Sequence, residues 1–223
     1  MMESRWKQEK LAVLTAAREM AAQGLVTGTS GNVSMRLPLS DDDTELIAVT
    51  PSSIPYSTMT EGDIVVADFG LEPIEGDSIP SSESQMHIAI YESRPDANAV
   101  IHTHSVFASV AAVAGTELPA IIDEAVIAIG GTVNVSEYAF PGSQELADNV
   151  RAALGERNAA LIRNHGVVGV GRSLQEALEI CSLVERVAQI FYYASLSGNV
   201  NLLPDDIVQS ELAIFRMRQQ TRE

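Results

Sequence analysis

The stretch Ala99-Val100-Ile101-His102-Thr103-His104 decides how the rest of the chain is read. Aliphatic and β-branched residues run through it, the composition of a buried strand. Side chains alternate across a strand, so Val100, His102 and His104 share one face. The chain has only four histidines, and two of them are here. Two imidazoles on one face at a strand end are a common beginning for a metal site. They are equally what two buried histidines with ordinary hydrogen bonds look like, and the pair alone does not choose.

Upstream, Pro80-Ser81-Ser82-Glu83-Ser84-Gln85 opens a helix, with Ser82 and Gln85 at capping-box spacing. Met86, Ile90 and Tyr91 follow at helical intervals, and Arg94-Pro95 stops it. Glu83 then falls in the first turn, where the helix dipole favours a carboxylate, so capping alone accounts for it. His87 lies one turn further and can face Glu83, which makes Glu83–His87 a rival ligand pair. Downstream, Ser105 caps a helix that runs through Ala114 to Gly115. Residues 119–140 read as strand-like pieces: Ala125–Ile129, a Gly130-Gly131 turn, and Thr132–Val135. Ser143–Leu154 reads as a helix. Residues 159–171 read as two strands broken at Asn164-His165-Gly166, which puts His165 at a bend where a side chain can enter a cleft. Ser173-Leu174-Gln175-Glu176 is a capping box for a long helix. Its apolar face is Leu178, Cys181, Val184, Ala188, Phe191 and Tyr192, and a final helix covers residues 205–219.

The first third carries one helix, residues 3–23, and then antiparallel strands. Gly28-Thr29-Ser30-Gly31-Asn32-Val33-Ser34 is either a tight turn or an anion cradle of backbone N–H groups and hydroxyls. Residues 37–44 read as a solvated hairpin loop, Glu45–Thr50 and Asp63–Asp68 as strands, and Gly70–Asp77 as an acidic connection. Between the two strands lies the hydroxyl-rich turn Pro51-Ser52-Ser53-Ile54-Pro55-Tyr56. No repeat, low-complexity segment or linker interrupts residues 1–223, which read as a single domain.

The formal charge is −16, with no basic patch of the kind nucleic-acid binders carry. No apolar run approaches a membrane span, and the N-terminus has no signal-peptide core. A single cysteine, Cys181, fits a reducing cytoplasm. Lys7 and Lys10 are the only lysines. Schiff-base chemistry, a pyridoxal-phosphate lysine and a Walker-type phosphate loop all need a lysine, so these classes fall away.

Five motifs stand in order: Gly28–Ser34, Thr50–Tyr56, Pro80–Glu83, Arg94–His104 and Asn164–Gly166. Together they resemble the class II aldolase/adducin family, in the group of fuculose-phosphate aldolases and ribulose-phosphate 4-epimerases, over residues 5–215. The resemblance implies a three-layer α/β/α sandwich around a central, mostly antiparallel mixed sheet. It implies a divalent metal, zinc first with manganese or cobalt as alternatives, on His102, His104 and His165. Glu83 is then a fourth ligand at rest and the acid/base once substrate arrives, and His87 has no ligand role. Gly31, Asn32, Ser52, Ser53, Ser81 and Ser82 map onto the family's phosphate pocket. The implied activity is cleavage of a ketose 1-phosphate, fuculose-phosphate-like or a 5-deoxy- or 5-methylthio-pentulose 1-phosphate, into dihydroxyacetone phosphate and an aldehyde. The implied assembly is a homotetramer with sites between subunits.

The chemistry agrees with the resemblance. Three neutral imidazoles and an exchangeable position make a catalytic zinc pattern. A metal ion stabilises the charge that develops as a C–C bond breaks, the task lysine performs in Schiff-base aldolases. Backbone N–H groups, serines and Asn32 can hold a phosphate without lysine. Two departures stand out. The family's fuculose-phosphate aldolases carry a catalytic tyrosine in the segment matching Pro119–Ala128, and here there is none. Asp123 or Glu124 could move a proton there, or be a simple charge pair. No histidine lies between 104 and 165, which lowers the epimerase reading; dehydratase, decarboxylase and non-catalytic adducin-like readings complete the alternatives.

Overall fold

The chain was analysed as a computed structural model, which describes residues 5–39 and 43–220. In chain order the elements are α1 (Lys7–Ala22), β1 (Asn32–Arg36), β2 (Leu46–Val49), β3 (Val65–Asp68), β4 (Pro73–Glu75), α2 (Ser84–Ser93), β5 (Ala99–Thr103), α3 (Val106–Ala114), α4 (Asp123–Ile129), α5 (Gln144–Leu154), β6 (Ala159–Ile162), β7 (Gly166–Gly171), α6 (Leu174–Leu196) and α7 (Asp205–Gln220). The strands form one sheet in the order β4-β3-β2-β1-β5-β7-β6. Every named pair is antiparallel. Among the described residues the parallel component is a single bridge, Val135 to Leu161.

Alternation along β5 builds the layers. Ala99 and Ile101 pack with Leu14 and Met20 of α1 and Leu178 and Cys181 of α6. Val100 points the other way, onto Met86 and Ile90 of α2 and Leu146 and Val150 of α5. A third cluster joins α3, α4 and α6 over β6 and β7. The result is an α/β fold with a seven-stranded antiparallel sheet between helices. β5 lies between β1 and β7, so a polar group on it is shielded on both sides. His102 follows Val100 on the α2 face, at the sheet end where β5 runs out.

Several elements differ from the sequence expectations. Ala125–Ile129 is the core of helix α4, not a strand. Asp123 and Glu124 begin the helix, Gly130 ends it in the left-handed region (φ 97°), and Ala125, Val126 and Ile129 are buried at helical spacing. A short apolar run fits either period, and here the flanking caps decide. Thr132–Val135 contributes only two isolated bridges. The acidic connection at 70–77 contains the edge strand β4. The strand expected from Asp63 starts at Val65, because Asp63 closes a short 3-10 turn by accepting hydrogen bonds from the Thr60 N–H and hydroxyl, both 2.7 Å. Of the loop expected at 37–44, residues 40–42 lie outside the described residues, as do residues 3 and 4 of the first helix.

Helix α6 begins at Ser173, whose Oγ accepts from the Glu176 N–H at 3.2 Å. Its Cys181 is buried as expected, but Tyr192 is exposed, with its ring beside those of Phe107 and Tyr193. Lys10 is only 3% exposed and its Nζ lies 2.9 Å from Glu75 Oε1, so one of the two lysines is spent tying α1 to β4. Among the described residues no helix is long and apolar enough to cross a membrane.

Candidate metal centre

His102 sits one residue before the end of β5, fully buried, with Nδ1 3.0 Å from the Val167 carbonyl oxygen of β7. A carbonyl only accepts, so Nδ1 carries the proton and Nε2 is left with its lone pair. His104 lies just past the strand, its N–H donating to the Leu25 carbonyl at 3.1 Å. Its Nε2 is 2.9 Å from His102 Nε2. His165 enters from the β6–β7 turn, after Asn164 in the left-handed region (φ 57°). Gly166 lets that turn approach: a Cβ there would lie 2.2 Å from the Thr103 carbonyl oxygen. The three imidazole centroids are 4.7 to 4.8 Å apart.

Glu83 completes the group. It is the N-cap residue of α2 rather than a first-turn residue, and its side chain makes no cap hydrogen bond. The expected Ser82 capping box is therefore absent. Helix α2 begins one residue later, after a turn closed by the Ser84 N–H and hydroxyl donating to the Ser81 carbonyl at 3.0 and 2.7 Å. The Glu83 carboxylate turns away from the helix. Oε2 is 3.3 Å from His102 Nε2 and accepts from Asn32 Nδ2 at 2.9 Å. Oε1 is 3.4 Å from His165 Nε2, buried, and without a hydrogen-bond partner.

Burial, reinforced by His165, pushes the His102 pKa down to about 3. Burial, then His102 and His165, pushes His104 down to about 4. Both rings are therefore neutral at physiological pH and offer lone pairs. One ligand atom from each of Glu83, His102, His104 and His165 lies within 4.8 Å of the other three. Three imidazole nitrogens and a carboxylate oxygen that nothing else satisfies are a donor set for a divalent cation. An unpaired buried carboxylate oxygen is costly, and a cation removes that cost.

His87 does not belong to this group. It is fully buried, its Nδ1 lies 2.7 Å from Ser34 Oγ, and Ser34 Oγ lies 2.8 Å from the Tyr91 hydroxyl. The rival pair Glu83–His87 is thus not a ligand pair: one member faces the histidines, the other faces β1.

The residues mapped to a phosphate pocket lie on three turns around Glu83. Gly31 (φ 76°) packs so closely on β5 that a Cβ would meet the His102 carbonyl oxygen at 2.6 Å. Asn32 is buried opposite His102, with its amide donating to Glu83. Ser52 and Ser53 follow β2 with hydroxyls 3.3 Å apart, Ser53 at φ 62°. The Ser52 N–H donates to the Ile79 carbonyl at 2.8 Å and the Ser81 N–H to the Thr50 carbonyl at 3.1 Å, which ties the second turn to the third. Ser52 and Ser81 are half-buried, while Ser53 and Ser82 are exposed.

Asp123 and Glu124 are engaged elsewhere. Asp123 lies beside Glu211 of α7, whose carboxyl is pushed above the usual range by burial and then by Asp123, and Glu124 Oε1 lies 2.6 Å from Arg186 of α6. A cavity of about 580 Å³ also opens between α4, α6 and α7, floored by Ile127, Ile180 and Phe215. It contains none of the four ligand residues, so donor chemistry rather than cavity size locates the candidate site. Sequence reasoning missed the Val167 carbonyl that sets the His102 tautomer, since a backbone group leaves no residue-type signal.

The profile described as "Class II Aldolase and Adducin N-terminal domain" matches residues 11–192. The chain belongs to the class II aldolase and adducin family. Within this family it is 35% identical over 213 residues to an L-fuculose phosphate aldolase of Escherichia coli, covering 94% of this chain and 96% of that one. It is 33% identical over 205 residues to a 5-deoxy-D-ribulose 1-phosphate aldolase of Bacillus thuringiensis, covering 92% and 93%. A solved structure of an L-fuculose 1-phosphate aldolase superposes with a TM-score of 0.87 at 34% identity, covering 96% of this chain and 98% of that one.

Proposed function

We propose that this class II aldolase-family chain is a metal-dependent lyase that cleaves a ketose 1-phosphate reversibly into dihydroxyacetone phosphate and an aldehyde. The observation that carries this reading is the Glu83 carboxylate, buried among three imidazoles with Oε1 unpartnered. His102, His104, His165 and, at rest, Glu83 would hold a divalent cation, zinc with manganese or cobalt as alternatives, which would supply Lewis acidity at the substrate carbonyl. Glu83 handles the proton on carbon. In the condensation direction its carboxylate removes a proton from the carbon beside the carbonyl; in cleavage its acid form returns that proton to the same carbon. Asn32, donating to Glu83 Oε2, holds the carboxylate in place. The turn at Gly31 and Asn32 and the serines at 52, 53, 81 and 82 bind the phosphate through N–H and hydroxyl donors.

The relatives' names support a substrate ending in a deoxy or methylthio carbon, since 5-deoxyribulose, 5-methylthioribulose and fuculose phosphates recur among them. The lack of a tyrosine in residues 119–128 fits a changed aldehyde end. We read the chain as a single domain, acting in the cytoplasm, where its one cysteine, free and buried, needs no partner. We also read it as a homotetramer, supported by an exposed apolar face on α3 (Val106, Val110, Val113) beside the ring cluster Phe107, Tyr192 and Tyr193. The test is bound-metal analysis followed by a panel of ketose 1-phosphates, with release of triose phosphate measured by a coupled assay. One cation per chain and triose phosphate from a deoxy or methylthio pentulose 1-phosphate are expected. Protein without metal overturns the enzyme reading; turnover without triose phosphate moves it to an epimerase, dehydratase or decarboxylase.

A further inference from the structure

We propose that Tyr56 is a positioning residue whose hydroxyl sets the Gly31 turn for phosphate binding, an inference that rests on the phosphate reading of the three turns. Tyr56 is 5% exposed, and its ring is fixed in the cluster that includes Leu14 and Met59. Its hydroxyl donates to the Gly31 carbonyl at 2.7 Å and lies 3.0 Å from the Ser30 carbonyl. One O–H thus holds two consecutive peptide groups.

The consequence follows from peptide geometry. A trans peptide carries its C=O and N–H on opposite sides, and no cis bond occurs among the described residues. With the Ser30 carbonyl drawn to Tyr56, the Gly31 N–H points away from it. With the Gly31 carbonyl drawn to Tyr56, the Asn32 N–H points away too, at the position where the register sets Asn32 opposite His102. Tyr56 therefore fixes both the donor side of the turn and its seating against the metal-bearing strand. The side chain of Ser30 is not available for this task, because its hydroxyl donates to the Thr27 carbonyl at 2.6 Å. Burial, then the charge of Glu83, pushes the Tyr56 phenol above its ordinary range, so it remains a donor at any working pH.

The experiment compares wild-type and Tyr56→Phe protein, both loaded with metal. Inorganic phosphate binding is measured by titration calorimetry, together with KM and kcat on the sugar phosphate that the wild type turns over. Amide exchange is followed in the peptide spanning residues 28–34. Tyr56→Phe is expected to weaken phosphate binding and raise KM about five- to tenfold, the value of one lost hydrogen bond. It should raise KM by a larger factor than it lowers kcat, because Tyr56 makes no hydrogen bond to Glu83 or to the three histidines. Metal content is unchanged, and exchange in 28–34 is faster. Unchanged phosphate affinity and KM overturn the proposal, as does a fall in kcat alone. A variant that fails to fold or loses its metal also overturns it, in favour of a purely structural hydroxyl. Wild-type protein that binds no phosphate removes the phosphate reading itself, a result distinct from a variant that binds as well as wild type.

Discussion

At the residue scale, burial keeps three histidines of the core and the cluster from taking up a proton. His87, His102 and His104 are all kept neutral by burial, with His87 and His102 pushed down to about 3. An unfolded histidine titrates near 6.5, so below that pH the unfolded chain takes up protons that the folded chain refuses. Stability therefore falls as pH drops from about 6.5 towards the folded values. Denaturant titrations of chelator-treated protein at pH 7 and pH 5 should show this loss, and equal midpoints would refute it. Glu83→Gln keeps the shape and the contact with Asn32 but cannot move a proton. It should retain the fold and lose at least about 100-fold in kcat. An active variant takes Glu83 out of the acid/base role. His102→Ala should lose metal and activity together, read by metal analysis and turnover on the same sample.

At the element scale, the two turns that deliver ligands are more exacting than the helices around them. The β6–β7 turn reaches β5 only because residue 166 has no Cβ. Gly166→Ala should push His165 away from β5, lower metal affinity, and destabilise the chain by about 1–3 kcal/mol, the usual range for overpacking. Metal titration and denaturant unfolding on the same preparations check both parts. The elements explain what could be read from the amino-acid order. β5, α3, α5, β6 and β7 carried long apolar periods with clear stops, and the structure has them close to where the spacing predicts. The five apolar residues of α4 satisfy both a strand and a helix, and the caps together with packing against α6 and α7 select the helix. β4 was invisible because an edge strand of three residues, Pro73–Glu75, buries too little to need an apolar pattern. Glu83 was placed one position too far into its helix, since capping-box spacing cannot say whether the carboxylate turns back to the backbone or out to a cluster. The four members of the cluster were legible as residue types in motif order. Their convergence depended on register, with Thr103 opposite Val167 and Asn32 opposite His102, and a linear chain does not display register.

At the scale of the whole molecule, an acidic protein must take in an anionic substrate with few cations to help. The charge of −16 repels a sugar phosphate at long range, none of the three turns contains a lysine, and Lys10 is tied to Glu75. Salt screens that repulsion while barely touching short N–H and hydroxyl contacts. KM for the sugar phosphate should therefore fall, not rise, as ionic strength increases from about 0.01 to 0.15 M, a range over which the screening length shrinks from about 30 to 8 Å. A steep rise would mean that an undetected cationic side chain binds the phosphate. The same reasoning reaches the assembly. Val106, Val110 and Val113 are 41–65% exposed on one face of α3, directly after His102 and His104 of the cluster. Such a stripe beside exposed rings is the kind of surface that a second surface can cover. If the proposed tetramer covers it, Val106→Asp with Val110→Asp should yield a smaller species by light scattering. Because α3 holds the strand end that carries both histidines, that species should also bind metal more weakly. A monomer that keeps full metal affinity would separate assembly from the site, and a variant that remains four-chain would place the subunit contacts on another face.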